Sequence, residues 1–316
     1  MTVESGWGRG VTLPAESLDP FRRLSLYNSP YPAHDEGCAI DLYPDSNDGI
    51  SPVSGVVRAT RTVRTPQKSY AVEHDHLVLV DCDAAWCASA GLDAPVVARV
   101  LHIEPGVEPG DRVAVGDSLG EMVRSGFFAP WVDNHVHLGF RKADQNLQRA
   151  SGSLPVSLPS APTPLAWDGR GTVVETGETF VVLDRPLHPG DGDWCGLAAC
   201  GGSDGAGDDG KVRRADGPAE SVVGVLDGGM PHYDGGGVLA ESGAIDSGPV
   251  SFLGQVVGER RSRDVSWRPF GVRANGSAVT GLSLFCARAG PVGVKIVCPG
   301  HEFERGERVT VTIAPE

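Results

Sequence analysis

The stretch LHIEPGVEPGDRVAVGDSLGE, residues 101–121, alternates short apolar runs with residues that favour tight turns. Glycine and proline interrupt it so often that no helix of ordinary length fits between them. Comparable β-branched runs, such as HLVLVD and VGVKIVC, recur along the whole chain and are bounded by turn residues. Long 3.6-residue periodicity is absent apart from a weak pattern at residues 18–26. The sequence therefore predicts an all-β protein.

Composition and charge limit the classes of function. The chain has 316 residues and a formal net charge of −14, and a negative field opposes binding to nucleic acid or anionic lipid. No run approaches the roughly 18 apolar residues of a membrane span, and the N-terminus lacks the pattern of a secretory signal. We expect a cytoplasmic protein with a peptide or small-molecule substrate, with no nucleic acid or membrane partner. Seven cysteines, an odd number, favour reduced thiols over a disulfide framework.

A segment rich in serine and proline, SGSLPVSLPSAPTPL, divides the chain at residues 151–165. We therefore predict an N-terminal arm (1–20), a first domain (21–150), this linker, and a second domain (166–316). The second domain ends in the alternating run ERVTVTIA, which is typical of an antiparallel sheet with one solvated face. We expect a β-sandwich or β-barrel there, with a surface loop at the Gly- and Asp-rich residues 201–210, and no catalytic constellation.

The candidate chemistry lies in the first half. His135 and His137, in VDNHVHLGFRK, are two residues apart in a predicted strand, so both imidazoles project from one face. His102 ends an apolar strand before a Pro-Gly turn, where an imidazole needs a partner or a cleft. Asp41 interrupts the apolar strand AIDLYP, and a buried carboxylate requires a cation or several hydrogen bonds. Together these residues suggest a metal site.

The order of these motifs resembles the lysostaphin-type (LytM-like) zinc metallopeptidases. The resemblance covers roughly residues 30–142: a GxxxD segment ending at Asp41, the SPVSGVV strand, the hairpin following His102, and the HxH of residues 135–137. It implies a duplicated hybrid motif, that is, a barrel-sandwich hybrid, as the first domain. It also implies one zinc ion, held by Asp41 and His137, and hydrolysis of peptide bonds with His102 and His135 flanking a metal-bound water.

The chain departs from this pattern at the first ligand. Gly37 stands four residues before Asp41, where the family has a zinc-binding histidine, and the nearest histidine is His34. We expect His34 to supply the third ligand if the intervening loop bulges, with Cys38 or Asp35 as alternatives. The sequence leaves open whether the site is complete.

Two other functions remain open at this stage. The predicted architecture also resembles that of the phosphocarrier domains of sugar phosphotransferase systems. If the protein were such a carrier, His102 would be the phosphoacceptor and His76 would lie near it. This reading leaves Asp41 and the HxH pair unexplained. The third reading is a binding or structural module that has lost its chemistry, which the glycine at position 37 favours.

Overall fold

The computed structural model describes residues 10–34, 36–190, 192–201, 221–241, 247–292, 294–300 and 303–315. Asp35, one of the alternative ligands, and residues 202–210 of the predicted surface loop lie outside these ranges, as do residues 1–9 of the predicted arm. The chain forms two compact units, residues 1–160 and 161–316. The predicted all-β class is confirmed, because strands dominate the described residues. No helix among these residues has the length and apolar character needed to cross a membrane.

The first unit is built on an antiparallel sheet in the order β9-β5-β6-β7-β11-β3-β2. A smaller antiparallel sheet has the order β4-β10-β8, and β1 pairs with β12 in parallel. The elements are β1 (Val11–Thr12), a 3-10 helix (Ala15–Leu18), β2 (Phe21–Ser25), β3 (Ala39–Pro44), β4 (Asp48–Ile50), β5 (Gly55–Arg64), β6 (His74–Cys82), α1 (Ala84–Ser89), β7 (Val96–Leu101), β8 (Ile103–Pro105), β9 (Arg112–Val113), β10 (Ser118–Met122), β11 (Val136–Lys142) and β12 (Val156–Ser157).

The central strands of the large sheet are buried on both faces. All residues of β3, β7 and β11 except the last of each are buried, which explains their nearly continuous apolar sequences. The helix α1 covers one face, where Trp86 stacks on Phe140. A polar side chain on these strands is therefore held away from water.

The glycine-rich stretch at residues 101–121 carries the chain from the large sheet to the small one. β10 crosses β8 so closely that a Cβ on Gly120 would lie 2.0 Å from the carbonyl oxygen of Glu104, and Gly120 has φ +131°. Only glycine fits both conditions. His102 lies at the other end of this crossing, between β7 and β8.

The second unit contains a closed barrel, as one of the two predicted alternatives requires. Six antiparallel strands pair in the ring β16-β17-β18-β21-β20-β19 and back to β16. Closure leaves no exposed strand edge in the ring. The strands are β13 (Thr163–Leu165), β14 (Arg170–Thr176), β15 (Phe180–Leu183), β16 (Cys195–Gly201), β17 (Val222–Met230), β18 (Gly235–Leu239), β19 (Ser247–Phe252), β20 (Gln255–Arg261), β21 (Asp264–Trp267), β22 (Phe270–Ala274), β23 (Ser277–Val279), β24 (Gly281–Leu284), β25 (Cys286–Ala287), β26 (Val294–Val297) and β27 (Arg308–Pro315).

Further strands extend the barrel through β17, in the order β24-β26-β15-β14-β27-β22-β23. One apolar core fills this unit. All seven cysteines fall in the described part of the chain, and no two of them form a disulfide.

Candidate metal centre

Two neighbouring strands place Asp41 and His137 side by side. β3 and β11 pair antiparallel in a register that sets His137 directly opposite Asp41. Residues opposite each other in such a pair project from the same face, with their Cβ atoms about 5 Å apart. Nδ1 of His137 lies 2.9 Å from Oδ1 of Asp41, and both side chains are buried. The sheet register therefore places two of the three candidate ligands.

The connection between β2 and β3 brings in His34. The amide of His34 donates to the carbonyl of Tyr31, and the amide of Gly37 donates to the carbonyl of His34, so two successive turns coil this connection. Gly37 has φ +58°, a left-handed conformation that glycine adopts without a steric penalty. The turns place the His34 side chain, 2% exposed, against Asp41 and His137.

The three predicted ligands form a compact triangle. Nε2 of His34 lies 3.1 Å from Nδ1 of His137 and 3.4 Å from Oδ1 of Asp41, and the third edge is the 2.9 Å contact between Asp41 and His137. Cys38, the other alternative ligand, is buried, and its thiol lies 3.8 Å from the carbonyl of Glu36.

His102 and His135, the two residues predicted to flank the water, lie beside this triangle. The ring centroid of His102 is 5.1 Å from that of His135 and 5.6 Å from that of His137. Nε2 of His135 is 3.4 Å from Oδ1 of Asp41. Phe128 contacts both rings, stacking on His135 at 4.4 Å and meeting His102 edge-on at 4.6 Å. The fold thus gathers all five predicted site residues in one buried cluster.

Hydrogen bonds to Nδ1 set the tautomers of three of these histidines. His34 Nδ1 lies 2.7 Å from the carbonyl oxygen of Leu26, and His135 Nδ1 lies 2.9 Å from that of Asp133. A carbonyl only accepts, so each Nδ1 carries the proton and each neutral ring keeps its lone pair on Nε2. His102 Nδ1 lies 2.5 Å from Oδ2 of Asp75, which fixes the same tautomer. His137 alone turns Nδ1 towards Asp41.

Sequence reasoning missed Asp75 and Ser125. Asp75 is fully buried in β6, and its Oδ2 accepts hydrogen bonds from both His102 Nδ1 and Ser125 Oγ. The signal in the sequence is strand alternation: Asp75, Leu77 and Leu79 fall on the same face, and both leucines are buried. His76, which the phosphocarrier reading placed near His102, contacts it through the backbone, where the His76 carbonyl accepts from the His102 amide.

The electrostatics of the cluster favour an ionised Asp41 carboxylate beside a neutral His137 imidazole. Burial raises the pKa of Asp41, but the electrostatic influence of His135 and His34 and the hydrogen bond from His137 outweigh it, and the pKa falls well below its usual value. Burial lowers the pKa of His137 to about 3, against the raising effect of Asp41. At neutral pH the triangle therefore offers the Asp41 carboxylate and a neutral His137 imidazole, the forms in which these groups bind metals.

Both units correspond to families of protein domains. Residues 12–158 match the model described as domain of unknown function (DUF8155) N-terminal domain, and residues 163–314 match the DUF8155 C-terminal domain. Both halves of the chain match the DUF8155 family. Searches among curated proteins and among solved structures found no match.

The predicted membership of the lysostaphin-type peptidases is therefore wrong, because the DUF8155 models match the chain and no peptidase family does. The reason lies in what the shared motifs encode. Gly110, Gly116 and Gly120 all have positive φ; the first two serve tight turns, the third allows two strands to approach closely, and the HxH spacing reflects strand alternation. Such features recur wherever short strands are tightly connected. Gly37 at the first ligand position was the departure that mattered.

Proposed function

We propose that the first unit is a hydrolase of peptide bonds that uses a single divalent metal ion, most simply zinc, held by His34, Asp41 and His137. The observation that carries this proposal is the size of the ligand triangle. Zinc bonds of about 2.0 Å at tetrahedral angles place ligand atoms roughly 3.3 Å apart. The three edges, at 2.9, 3.1 and 3.4 Å, approximate one face of such a tetrahedron.

The surroundings support the same assignment. The carbonyl of Leu26 holds His34 by its Nδ1, so that its Nε2 lone pair lies at the triangle, as outer hydrogen bonds orient metal-ligating histidines. A carboxylate as buried as Asp41, 2% exposed, is stabilised by a cation beside it.

Three protein ligands suit catalysis, because bound zinc then keeps a position for water and lowers the pKa of that water to about 7. His102 and His135 lie beside the triangle, and the hydrogen bonds at their Nδ1 atoms leave Nε2 unprotonated in the neutral ring, so either could act on a water that the metal would hold. We assign His102 as the general base that accepts the proton of the attacking water. In its protonated form, His135 donates an N–H to the developing oxyanion.

Metal analysis tests the centre directly. Purified protein, stripped with a chelator and titrated with Zn²⁺, is expected to bind one zinc per chain. His34→Ala and His137→Ala should each abolish tight binding. His74→Ala is the matched control, because His74 is an exposed histidine of the same unit outside the cluster, and it should bind like wild type. Equal zinc binding by His137→Ala and wild type would rule out the assigned ligand set.

A closed structural zinc site is the second candidate, and one contact favours it. Nε2 of His135 lies 3.4 Å from Oδ1 of Asp41, near enough for His135 to become a fourth ligand after a small shift. Structural zinc sites have four protein ligands and no water position. His135→Ala separates the two candidates. The hydrolase predicts that this variant keeps its zinc, whereas the structural site predicts that zinc affinity falls with it.

Hydrolysis itself requires a substrate screen. The zinc-loaded protein should cleave members of a broad panel of peptides, including glycine-rich ones, and His135→Ala should retain zinc while losing cleavage. Cleavage that persists unchanged in His135→Ala would contradict its role, and no cleavage across the panel would leave the protein a metal binder without peptidase activity.

A further inference from the structure

We propose that Asp75 is a positioning residue that locks His102 in the tautomer with Nε2 unprotonated and turned away from Asp75, towards the metal centre. The inference rests on the proposed function for its catalytic consequence, but the tautomer is a property of the protein itself. Three observations carry it: the donor set around Asp75, the backbone of His102, and the geometry left to Nε2.

Four donors surround the Asp75 carboxylate, which is fully buried. Oδ1 accepts from the backbone amides of His76 at 2.6 Å and of His102 at 3.0 Å. Oδ2 accepts from Ser125 Oγ at 2.6 Å and from His102 Nδ1 at 2.5 Å. Charge-assisted bonds to an ionised carboxylate are short and strong. Asp75 therefore holds His102 at two points, the backbone amide and the ring.

This arrangement is not a serine-protease type of triad. Ser125 donates to the carboxylate and not to the imidazole, so no base activates its hydroxyl. Ser125 serves to occupy the second lone pair of Oδ2 and to fix the orientation of the carboxylate. The active group of the trio is His102.

The backbone of His102 is itself constrained. His102 has φ +74°, an uncommon conformation for a residue with a Cβ. Its amide is held by Asp75 and by the carbonyl of His76, and its own carbonyl accepts from Val123. Such conformations persist only where the surrounding structure holds them in place, and they occur most often at functional sites.

Nε2 of His102 is the ring nitrogen left for chemistry. Among the described residues it has no hydrogen-bond partner, and it is the ring nitrogen that does not bond to Asp75. The ring itself lies beside His135 and His137. Asp75 thus determines which nitrogen of the general base faces the reaction.

Asp75→Asn tests the inference through chemistry that only a positioning role would produce. The two backbone amides at Oδ1 cannot rotate, so the asparagine must turn its oxygen to them and its NH₂ to Ser125 and His102. Ser125 can rotate to accept. His102 Nδ1 can accept only by losing its proton, so the ring must switch to the tautomer protonated at Nε2.

The readout is long-range ¹H–¹⁵N NMR of the histidine rings at about pH 8, well above the ordinary histidine pKa of about 6.5. The His102 signals are assigned by their loss in His102→Gln. Wild type should show the tautomer protonated at Nδ1, and Asp75→Asn the one protonated at Nε2. Asp81→Asn is the matched control, since Asp81 lies on the same strand and pairs with Arg58 at the surface; it should leave the tautomer unchanged. Ser125→Ala should also keep the wild-type tautomer.

Wild-type His102 protonated at Nε2, or at both nitrogens at this pH, would overturn the inference, and that measurement requires no variant to fold. So would an Asp75→Asn protein that keeps Nδ1 protonated. Zinc stoichiometry should stay at one in Asp75→Asn, because Asp75 is not a ligand. On any peptide that wild type cleaves, kcat should fall on the order of 10³–10⁴-fold with little change in KM, as when a base is held in the wrong tautomer. If wild type binds no zinc, the proposed function fails while the tautomer result still stands.

Discussion

Gly37→Ala should weaken zinc binding although position 37 supplies no ligand. Gly37 has φ +58°, and an alanine held there costs about 1–2 kcal/mol because its Cβ approaches the following carbonyl. The metal-free protein can relieve this strain by relaxing the turn and releasing His34. The zinc-bound protein must restore the turn, so the strain is subtracted from the binding free energy. At about 1.4 kcal/mol per factor of ten, zinc affinity should fall roughly 5- to 30-fold.

The assay is competition with a chelating zinc dye, run beside thermal melting of the zinc-free protein. Gly91→Ala is the matched control: Gly91 has φ +72°, and an added Cβ there meets nothing within 4 Å. It carries the same backbone strain at another turn of the same unit, so it should lower stability and leave zinc affinity unchanged. Gly37→Asn should lie between wild type and Gly37→Ala, because asparagine tolerates this conformation better. Unchanged zinc affinity in Gly37→Ala would refute the idea that this turn delivers His34.

Three further predictions concern the rest of the chain. Arg141→Lys should reduce the free energy of unfolding by about 2–4 kcal/mol. The buried guanidinium donates to the carbonyls of Asn146, Arg149 and Ser151, and an ammonium cannot span all three. A difference from wild type of less than about 0.5 kcal/mol in denaturant unfolding would contradict this. Burial lowers the pKa of His232 to about 4, against the raising effect of its hydrogen bond with Met230. The second unit should therefore be fully stable above about pH 6.5, and its free energy of unfolding should fall by at most about 3 kcal/mol as the pH falls towards 4. Melting at pH 7.5 and pH 5 should show a smaller difference in His232→Gln than in wild type. Only Cys200 is partly exposed among the seven cysteines, so a thiol reagent should label at most one site per native chain rapidly and seven after unfolding, and a second fast site would show that the packing is wrong.

The fold brings together the five residues that the sequence singled out, whereas the family that the sequence suggested is wrong. Strand alternation sufficed to place His135 and His137 on one face, and the apolar setting of Asp41 sufficed to predict that it is buried. What alternation does not give is register. The pairing of His137 with Asp41 depends on how β3 and β11 align, and 95 residues separate them in the chain. Only the packing of the whole sheet fixes that alignment.

Asp75 shows a second limit of prediction from the sequence, which concerns the partners of a buried side chain. Its alternation with Leu77 and Leu79 is a signal of a buried carboxylate that sequence reasoning did not use, because the run LVLV that follows hides which face of the strand is buried. Its partners, His102 and Ser125, lie 27 and 50 residues away in the chain. A sequence can show that a buried carboxylate needs hydrogen-bond donors, but which residues supply them depends on the fold.

Strand register and turn conformation position different residues of the candidate site. A sequence motif can therefore suggest the wrong family even though the residues that it singles out lie together in the fold. The sheet positions Asp41 and His137 through register, whereas a turn in the connection between β2 and β3 positions His34. Acceptors at Nδ1, namely the carbonyls of Leu26 and Asp133 and the carboxylate of Asp75, then decide which nitrogen each ring presents. A buried carboxylate ringed by histidines whose Nδ1 atoms already have acceptors is therefore a better guide to such a site than residue spacing, because the acceptors fix the nitrogen that each ring presents.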